Sequence, residues 1–388
     1  MYAVNGEAAD AIRDILKREW GTPVHGSNRP LIGYFCTYTP VELLHAAGAR
    51  ARRIFPPEPG VPAELDLHRV AAHLPGFVCP YIKRALEHAL AGHAPRMDGL
   101  VHAYSCDVTC GVFNIWKELF RPEVAVMLHQ PYRLNEASLD YYLEELRGCA
   151  RALQVLTGQA VTDDGLFEAA ALYNGQRAYL RRLGAGRSET PPLLSAPAFL
   201  ELVLFCQLRP VEQANSLLEQ VLELLGGGSG AGGPAESEPA DPRRVLASGS
   251  VLQDARALEL VEQAEGRVVA DDLCTGSRWY AEDIGEMGDP WIALAERYMG
   301  RTPCPTRDSA RARSVRLEAL LEASGAGSVL FLVQKFCDPH LADIPLLREF
   351  LAGKAIPSLV LELEDEGPSA EQWKTRLETF FHLGCGKG

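Results

Sequence analysis

Ten cysteines are spread over 388 residues, and six of them stand where a short apolar run ends or a helix-like stretch begins. Cys36 lies in "GYFCTYTP", Cys79 in "CPYIK", Cys106 and Cys110 in "AYSCDVTC", Cys274 in "DDLCTGSRW" and Cys337 in "VQKFCDPH". A thiolate is a nucleophile and a soft metal ligand, so thiols gathered by folding could hold a metal. The spacing speaks against a compact zinc knuckle: no CxxC pair with a matching partner occurs, and Cys106 and Cys110 are spaced CxxxC. Three thiols converging from distant loops suit a metal cluster better. Buried cysteines acting as small hydrophobes explain the same pattern, and on pattern alone both remain open. Cys149, Cys206, Cys304 and Cys385 lie in ordinary settings and read as buried hydrophobes.

Other titratable residues accompany the cysteines. Glu42 and His45 in "PVELLHAAG" are three apart, so both can share one side of a helix after Cys36 and transfer protons; a satisfied, structural pair is the alternative. In "CDPHLADIPLL", Asp338 is placed to cap the next helix, and His340 to donate to a thiolate or a ligand. "DDLCTGSRW" offers Gly276 and Ser277 as a turn presenting N–H groups, and Arg278 as a partner for a phosphate or another subunit's carboxylate. Cys274 reads as a thiol beside a metal centre, Cys110 as a neighbour of Cys106, and His129 as a structural hydrogen-bonding residue at a strand end.

These residues need elements to position them, and the chain alternates in the manner of an α/β protein. "LIGYF", "ARRIF", "GLVHAYS" and "VAVML" predict strands in the first half; "RVLASG", "GRVVADD", "SVLFLV" and "SLVLEL" predict them in the second. "PVELLHAAG", "CPYIKRALEHAL", "VLQDARALELVEQAEG", "ADIPLLREFLAG" and "SAEQWKTRLETFF" have helical periodicity, the last as a closing helix. Alternation implies parallel sheets covered on both faces, here two doubly wound domains. The expected division is an α/β domain over 1–165, a helical region over 166–225, a flexible Gly/Pro-rich connector over 226–242 and a second α/β domain over 243–388. In such sheets ligands bind beyond the carboxyl ends of the strands, where Cys36, Cys106 and Cys337 fall. Helix N-termini there favour thiolate charge.

Composition excludes several partners. With 38 Lys and Arg against 51 Asp and Glu, the formal net charge is −13, which argues against nucleic acid or an anionic membrane surface. A local basic pocket for a phosphorylated ligand stays compatible with it. The first residues lack the positive start and apolar core of a signal peptide, so a cytoplasmic location is expected, where thiols stay reduced. "LLSAPAFLELVLFCQL" is interrupted by Pro197 and Glu201, short of the roughly 20 apolar residues of a membrane span.

Taken in order, "GYFCTYTPVELLHAAGA", "CPYIKRALEHAL", "SCDVTCGVFNIWKE", "RVLASGSVLQD", "VVADDLCTGSRW" and "QKFCDPHLADIPLL" resemble the 2-hydroxyacyl-CoA dehydratase and benzoyl-CoA reductase superfamily. The resemblance runs through most of the chain and implies two Rossmann-like domains with added helices, in agreement with the alternation. The connector is longer than the family pattern. The resemblance implies a [4Fe-4S] cluster held by Cys36, Cys106 and Cys337, with one iron left open as a Lewis acid for a substrate oxygen. Cys79 resembles a ligand position of the branch that carries double-cubane [8Fe-9S] clusters, so a larger ligand set stays open. It further implies a 2-hydroxyacyl-CoA substrate, a similar second subunit, and a separate ATP-dependent iron-sulfur activator; the chain itself shows no Walker motif. One electron added to the thioester carbonyl would give a ketyl radical that expels hydroxide and acidifies the C3 proton. Related reductases keep the electrons instead, and a third possibility is a partner subunit that only relays them.

Overall fold

The computed structural model describes residues 6–22, 24, 28–55, 66–133, 135–226, 241–307, 310–365 and 369–385. All eight expected strands form. The first sheet contains β1 (Leu31–Tyr34), β2 (Arg50–Arg53), β3 (Gly99–Ala103) and β4 (Val124–Leu128); the second contains β5 (Arg244–Gly249), β6 (Arg267–Leu273), β7 (Ser328–Gln334) and β8 (Ser358–Leu363). Both are parallel, with the orders β2-β1-β3-β4 and β6-β5-β7-β8. Every residue of β3 and β7 is buried, as unbroken apolar strands between two helical layers require. In each sheet the chain first steps to one side and then returns to the other, so a topological switch point lies between β1 and β3 and another between β5 and β7.

In the first half α1 (Gly6–Gly21), α2 (Val41–Ala46), α3 (Pro80–Leu90), α4 (Asp107–Phe120), α5 (Glu136–Thr157), α6 (Asp163–Ala185), α7 (Ala196–Leu208) and α8 (Val211–Leu224) surround the sheet. The second half adds α9 (Arg256–Gln263), α10 (Ser277–Tyr280), α11 (Pro290–Gly300), α12 (Ala310–Ser324), α13 (Asp338–Gly353) and α14 (Ala370–Cys385). Side-chain alternation sorts the layers: Leu330 and Leu332 face α9 and α14, whereas Phe331 and Val333 face α12 and α13.

Two helix expectations shift. Helix α9 begins at Arg256, five residues after Val251, because Val251 and Leu252 are buried beside β5 and Thr275 Oγ accepts the Leu252 N–H at 3.1 Å. Helix α13 begins at Asp338, directly after Cys337, earlier than the expected "ADIPLL" start, and carries Pro345 within it. The described residues between β4 and β5 form four helices and no strand, and α1 joins that layer against α7 and α8. Eleven of the thirteen residues of α7 are buried; it is apolar on every side because it wedges between β2, α8 and α9. No described helix is long and apolar enough to cross a membrane. The expected connector falls almost wholly outside the described residues.

Candidate metal centre

The three thiols anticipated at strand ends arrive there by short local steps. Cys36 follows β1 by two residues and opens a turn closed by the Thr39 N–H on the Cys36 carbonyl at 3.0 Å, before α2. Cys106 is the residue before α4, extended at φ −114° and ψ 155°, and Cys337 is the residue before α13. Cys79 holds the same place before α3, where Pro80 fixes the first helical turn. Three thiols, Cys79, Cys106 and Cys337, therefore stand at helix N-termini, whose N–H groups and dipoles favour negative charge. With Cys36, all four are half-buried.

Their electrostatics link them in part, through shared thiol neighbours. Burial, with Cys274 and Cys304 adding to it and a hydrogen bond from Ser105 opposing it, raises the Cys36 thiol to about 11. Burial likewise raises Cys79 to about 12, with Cys106 adding to it. Cys106 is raised by burial, against hydrogen bonds from Thr109, and feels Cys304 and Cys110. Cys337 is raised by burial and then by Cys79, Cys106 and Cys304. Residues from the carboxyl edges of both sheets thus share one interdomain seam. A bound metal would reverse this logic, since a cation displaces thiol protons. Among the described residues no three His, Cys, Asp or Glu side chains come close enough to hold a single ion. Soft sulfur donors spread around a seam suit a polynuclear centre, in which each thiolate has its own metal atom.

Hydrogen bonds orient the sulfurs. Thr109 Oγ stands 3.3 Å from Cys106 Sγ, 3.3 Å from Ser105 Oγ and 3.1 Å from His102 Nε2. His340 Nδ1 lies 3.3 Å from Cys337 Sγ, and its Nε2 lies 3.2 Å from Arg278 Nη1. A guanidinium only donates, so His340 Nε2 accepts and the ring proton sits on Nδ1, aimed at Cys337. Burial, then Arg278, holds His340 neutral down to about 3. Arg278 is in turn fixed by Asp272, whose oxygens accept from it at 3.0 and 2.6 Å. Burial would raise Asp272, but Arg278 and Arg316 outweigh it and hold its carboxyl below the usual range.

Several anticipated groups are committed elsewhere. Glu42 is fully buried, ion-paired with Arg177 and hydrogen-bonded by Tyr298 at 2.7 Å, so its carboxylate is used inside the fold. His45 packs edge-on against Tyr173 and senses Glu212 and Arg29, the latter just before β1 and so at the opposite end of the sheet from Cys36. Asp338 does not cap α13: Cys337 occupies that position, without a side-chain cap. The Ser277 N–H donates to Asp271 Oδ1 at 2.6 Å and the Gly276 N–H to the Leu273 carbonyl, leaving neither for an anion. Gly276 is required there, because a Cβ would lie 1.9 Å from Asp271 Oδ1. Arg278 is buried in its pair with Asp272 rather than facing a phosphate. Cys274 accepts from buried Arg53 Nη2 at 3.4 Å. His129 is exposed, takes Glu145 at 3.4 Å and stacks on Tyr104. Together with Tyr132 and Tyr141 these two line an open groove of about 440 Å³ beside the Cys106 loop.

Cys149 and Cys206 are buried, as expected. Cys304 is half-buried rather than buried, and its N–H is held by the Tyr38 hydroxyl close to Cys36. Its only local signal is the sequence "TPCPT", a cysteine between two prolines. Arg53, Arg301 and Arg307, buried along the same edge, had no local signal at all.

Two doubly wound domains with thiols gathered between their carboxyl edges define a class of two-domain α/β protein with a sulfur-lined seam. The chain belongs to the family described as "2-hydroxyglutaryl-CoA dehydratase, D-component", whose model matches residues 36–383. It is 24% identical over 355 residues, 91% of each chain, to "Lactoyl-CoA dehydratase subunit beta" of Anaerotignum propionicum. It is also 24% identical over 361 residues, 91% of this chain and 90% of the other, to a benzoyl-CoA reductase subunit of Thauera aromatica. To "(R)-2-hydroxyglutaryl-CoA dehydratase, subunit beta" of Acidaminococcus fermentans the identity is 24% over 356 residues, 90% of this chain and 91% of that one.

Proposed function

We propose that the chain is the cluster-bearing subunit of a 2-hydroxyacyl-CoA dehydratase-type lyase. Working with a similar second subunit in the cytoplasm, it would support removal of water from a 2-hydroxyacyl-CoA after one-electron activation by a separate ATP-dependent iron-sulfur protein. What supports this is the placement of Cys36, Cys106 and Cys337 just beyond the carboxyl ends of β1, β3 and β7. These residues would hold a [4Fe-4S] cluster, which when bound supplies low-potential electron transfer. His340 directs its Nδ1 proton to Cys337, and Thr109 stands at hydrogen-bonding distance from Cys106. Arg53, Arg301 and Arg307 donate to neutral groups along the same edge, so their charge is available to balance an anionic centre. Relatives named as beta subunits of dehydratases support a role within a multi-subunit enzyme.

A reductase with a larger cluster is the second reading. Its support is Cys79, which lies beside Cys106 and Cys337, together with the benzoyl-CoA reductase relative. Iron and acid-labile sulfide, counted after anaerobic purification of wild type and Cys79→Ser, separate the two. About four irons per chain, unchanged in the variant, fit the single cluster, whereas about eight, or loss of iron on substitution, fit the larger one. A chain that takes up no iron sinks both.

A further inference from the structure

The segment from Arg301 to Arg307 leaves the second half of the chain and lies across the carboxyl edge of the first sheet. It is fastened at both ends. Arg301 Nη1 donates to the Thr37 carbonyl at 2.7 Å; Arg307 donates to the carbonyls of Tyr104 at 3.1 Å, Gln130 at 2.6 Å and Pro131 at 2.6 Å. Both guanidinium groups lie over the ring of buried Tyr38, at 4.8 and 4.9 Å. In the middle, the Tyr38 hydroxyl donates to the Thr302 carbonyl at 3.3 Å and accepts the Cys304 N–H at 3.0 Å. Thr37 and Tyr38 directly follow Cys36, and Tyr104 lies two residues before Cys106. The strap is therefore fixed to the very turns that carry two of the three thiols.

Cys304 sits at the centre of this strap between Pro303 and Pro305. Proline on either side restricts its backbone to extended conformations, so little freedom is lost in holding the side chain in one place. A tetrahedral set needs a fourth donor close to each of the other three. The Cys304 N–H is held by the hydroxyl of Tyr38, two residues beyond Cys36, and the strap ends on the carbonyl of Tyr104, two residues before Cys106, so Cys304 is fixed between these two turns; its electrostatic coupling to Cys36, Cys106 and Cys337 agrees with that placement. Cys79 pairs with Cys106 and Cys337, and Cys274 is held by Arg53 beside Cys36.

We propose that Cys304 is a fourth thiolate ligand of the cluster held by Cys36, Cys106 and Cys337, delivered by the Arg301–Arg307 strap. The inference rests on the cluster reading given above. A cluster with four cysteine ligands has no iron left open to a substrate oxygen, which assigns this chain to electron relay and leaves substrate coordination to another subunit.

Mössbauer and EPR spectra of the anaerobically loaded full chain test this, with cyanide as the probe of an open iron. Wild type should hold about four irons with none spectroscopically distinct, and cyanide should leave its EPR signal unchanged. Cys304→Ala should keep a cluster in which one iron becomes distinct and cyanide shifts the signal; Cys79→Ala should behave as wild type. Should Cys304→Ala lose its fold or its iron, Cys304→Ser decides: an oxygen ligand must mark one iron as different from the rest. A distinct, cyanide-responsive iron already present in wild type overturns the role of Cys304 while leaving the cluster intact. Spectra identical in wild type and Cys304→Ser overturn it as well. A wild-type chain without iron overturns the cluster reading itself, and this inference with it.

Discussion

The carboxyl edges of the two sheets hold equivalent places in the same strand order, yet they are furnished differently. Along the first, at the ends of β1 and β3, Arg53, Arg301 and Arg307 are buried and donate to the carbonyls of Phe35, Thr37, Tyr104 and Gln130. Along the second, guanidinium groups meet carboxylates: buried Arg278 and half-buried Arg316 on Asp272, buried Arg187 on Asp271, buried Arg313 on Asp343. A carbonyl satisfies an arginine's N–H groups without cancelling its charge, whereas a carboxylate does both. The first edge therefore keeps positive charge next to Cys36 and Cys106, and the second spends its charge on holding α10, α12 and α13 in place. The proposed sulfur ligands Cys36 and Cys106 lie where that charge is kept, and the one proposed from the second edge, Cys337, stands beside a neutral imidazole that an ion pair has oriented.

This contrast can be broken by experiment. The largest effect is expected on the second edge, where Arg313→Met strands the buried Asp343 carboxylate and should cost about 3–5 kcal/mol, read as a lower denaturation midpoint. Adding Asp343→Leu should recover most of it, and a harmless single substitution would show that the pair contributes nothing. On the first edge, Arg307→Met removes donors from neutral carbonyls and a cation from the faces of Tyr38 and Tyr132 but strands no buried charge, and a smaller loss of about 1–3 kcal/mol is expected. Equal losses at Arg313 and Arg307 would erase the distinction drawn between the edges.

Acid should expose a third difference. His88 and His102 in the first domain are held neutral, to about 4 and about 3, chiefly by burial, with His93 adding to the effect at His88. Both values lie below the ordinary 6.5, so the unfolded chain binds protons that the folded one refuses, and stability falls as pH drops below 6.5. Glu262 acts in the opposite sense. Burial raises it from 4.5 to about 7, so the stability it adds is present below 4.5 and is lost as pH rises toward 7. His340, and His45 in the same direction, add to the histidine side and Glu201 to the glutamate side, so four lowered histidines against two raised glutamates predict a net loss on acidification, measured as urea midpoints between about pH 7 and pH 5. His88→Gln should flatten that slope; an unchanged slope would remove His88 from the account. The smallest effect belongs to neither edge: Asp289→Ala removes the side chain that caps α11 through the Trp291 and Ile292 N–H groups, for about 1 kcal/mol.

The eight strands, their parallel pairing and the placing of Cys36, Cys106 and Cys337 at strand ends were legible in the amino-acid sequence. Each is a local matter: β-branched runs bury on both faces, alternation with helices forces parallel crossovers, and a residue just after a strand stands at the carboxyl edge wherever the rest of the chain goes. The partners of those residues were not legible. Glu42 beside a thiol-bearing turn has the same local signature whether it faces a ligand or Arg177, and Arg278 the same whether it meets a phosphate or Asp272. Cys304 reads as an ordinary thiol until the strap is laid across the first sheet by contacts with Thr37, Tyr38 and Tyr104, between 203 and 266 residues away in sequence. Periodicity reports which face of an element is buried; only the packing of one domain on the other decides which charges and thiols meet there.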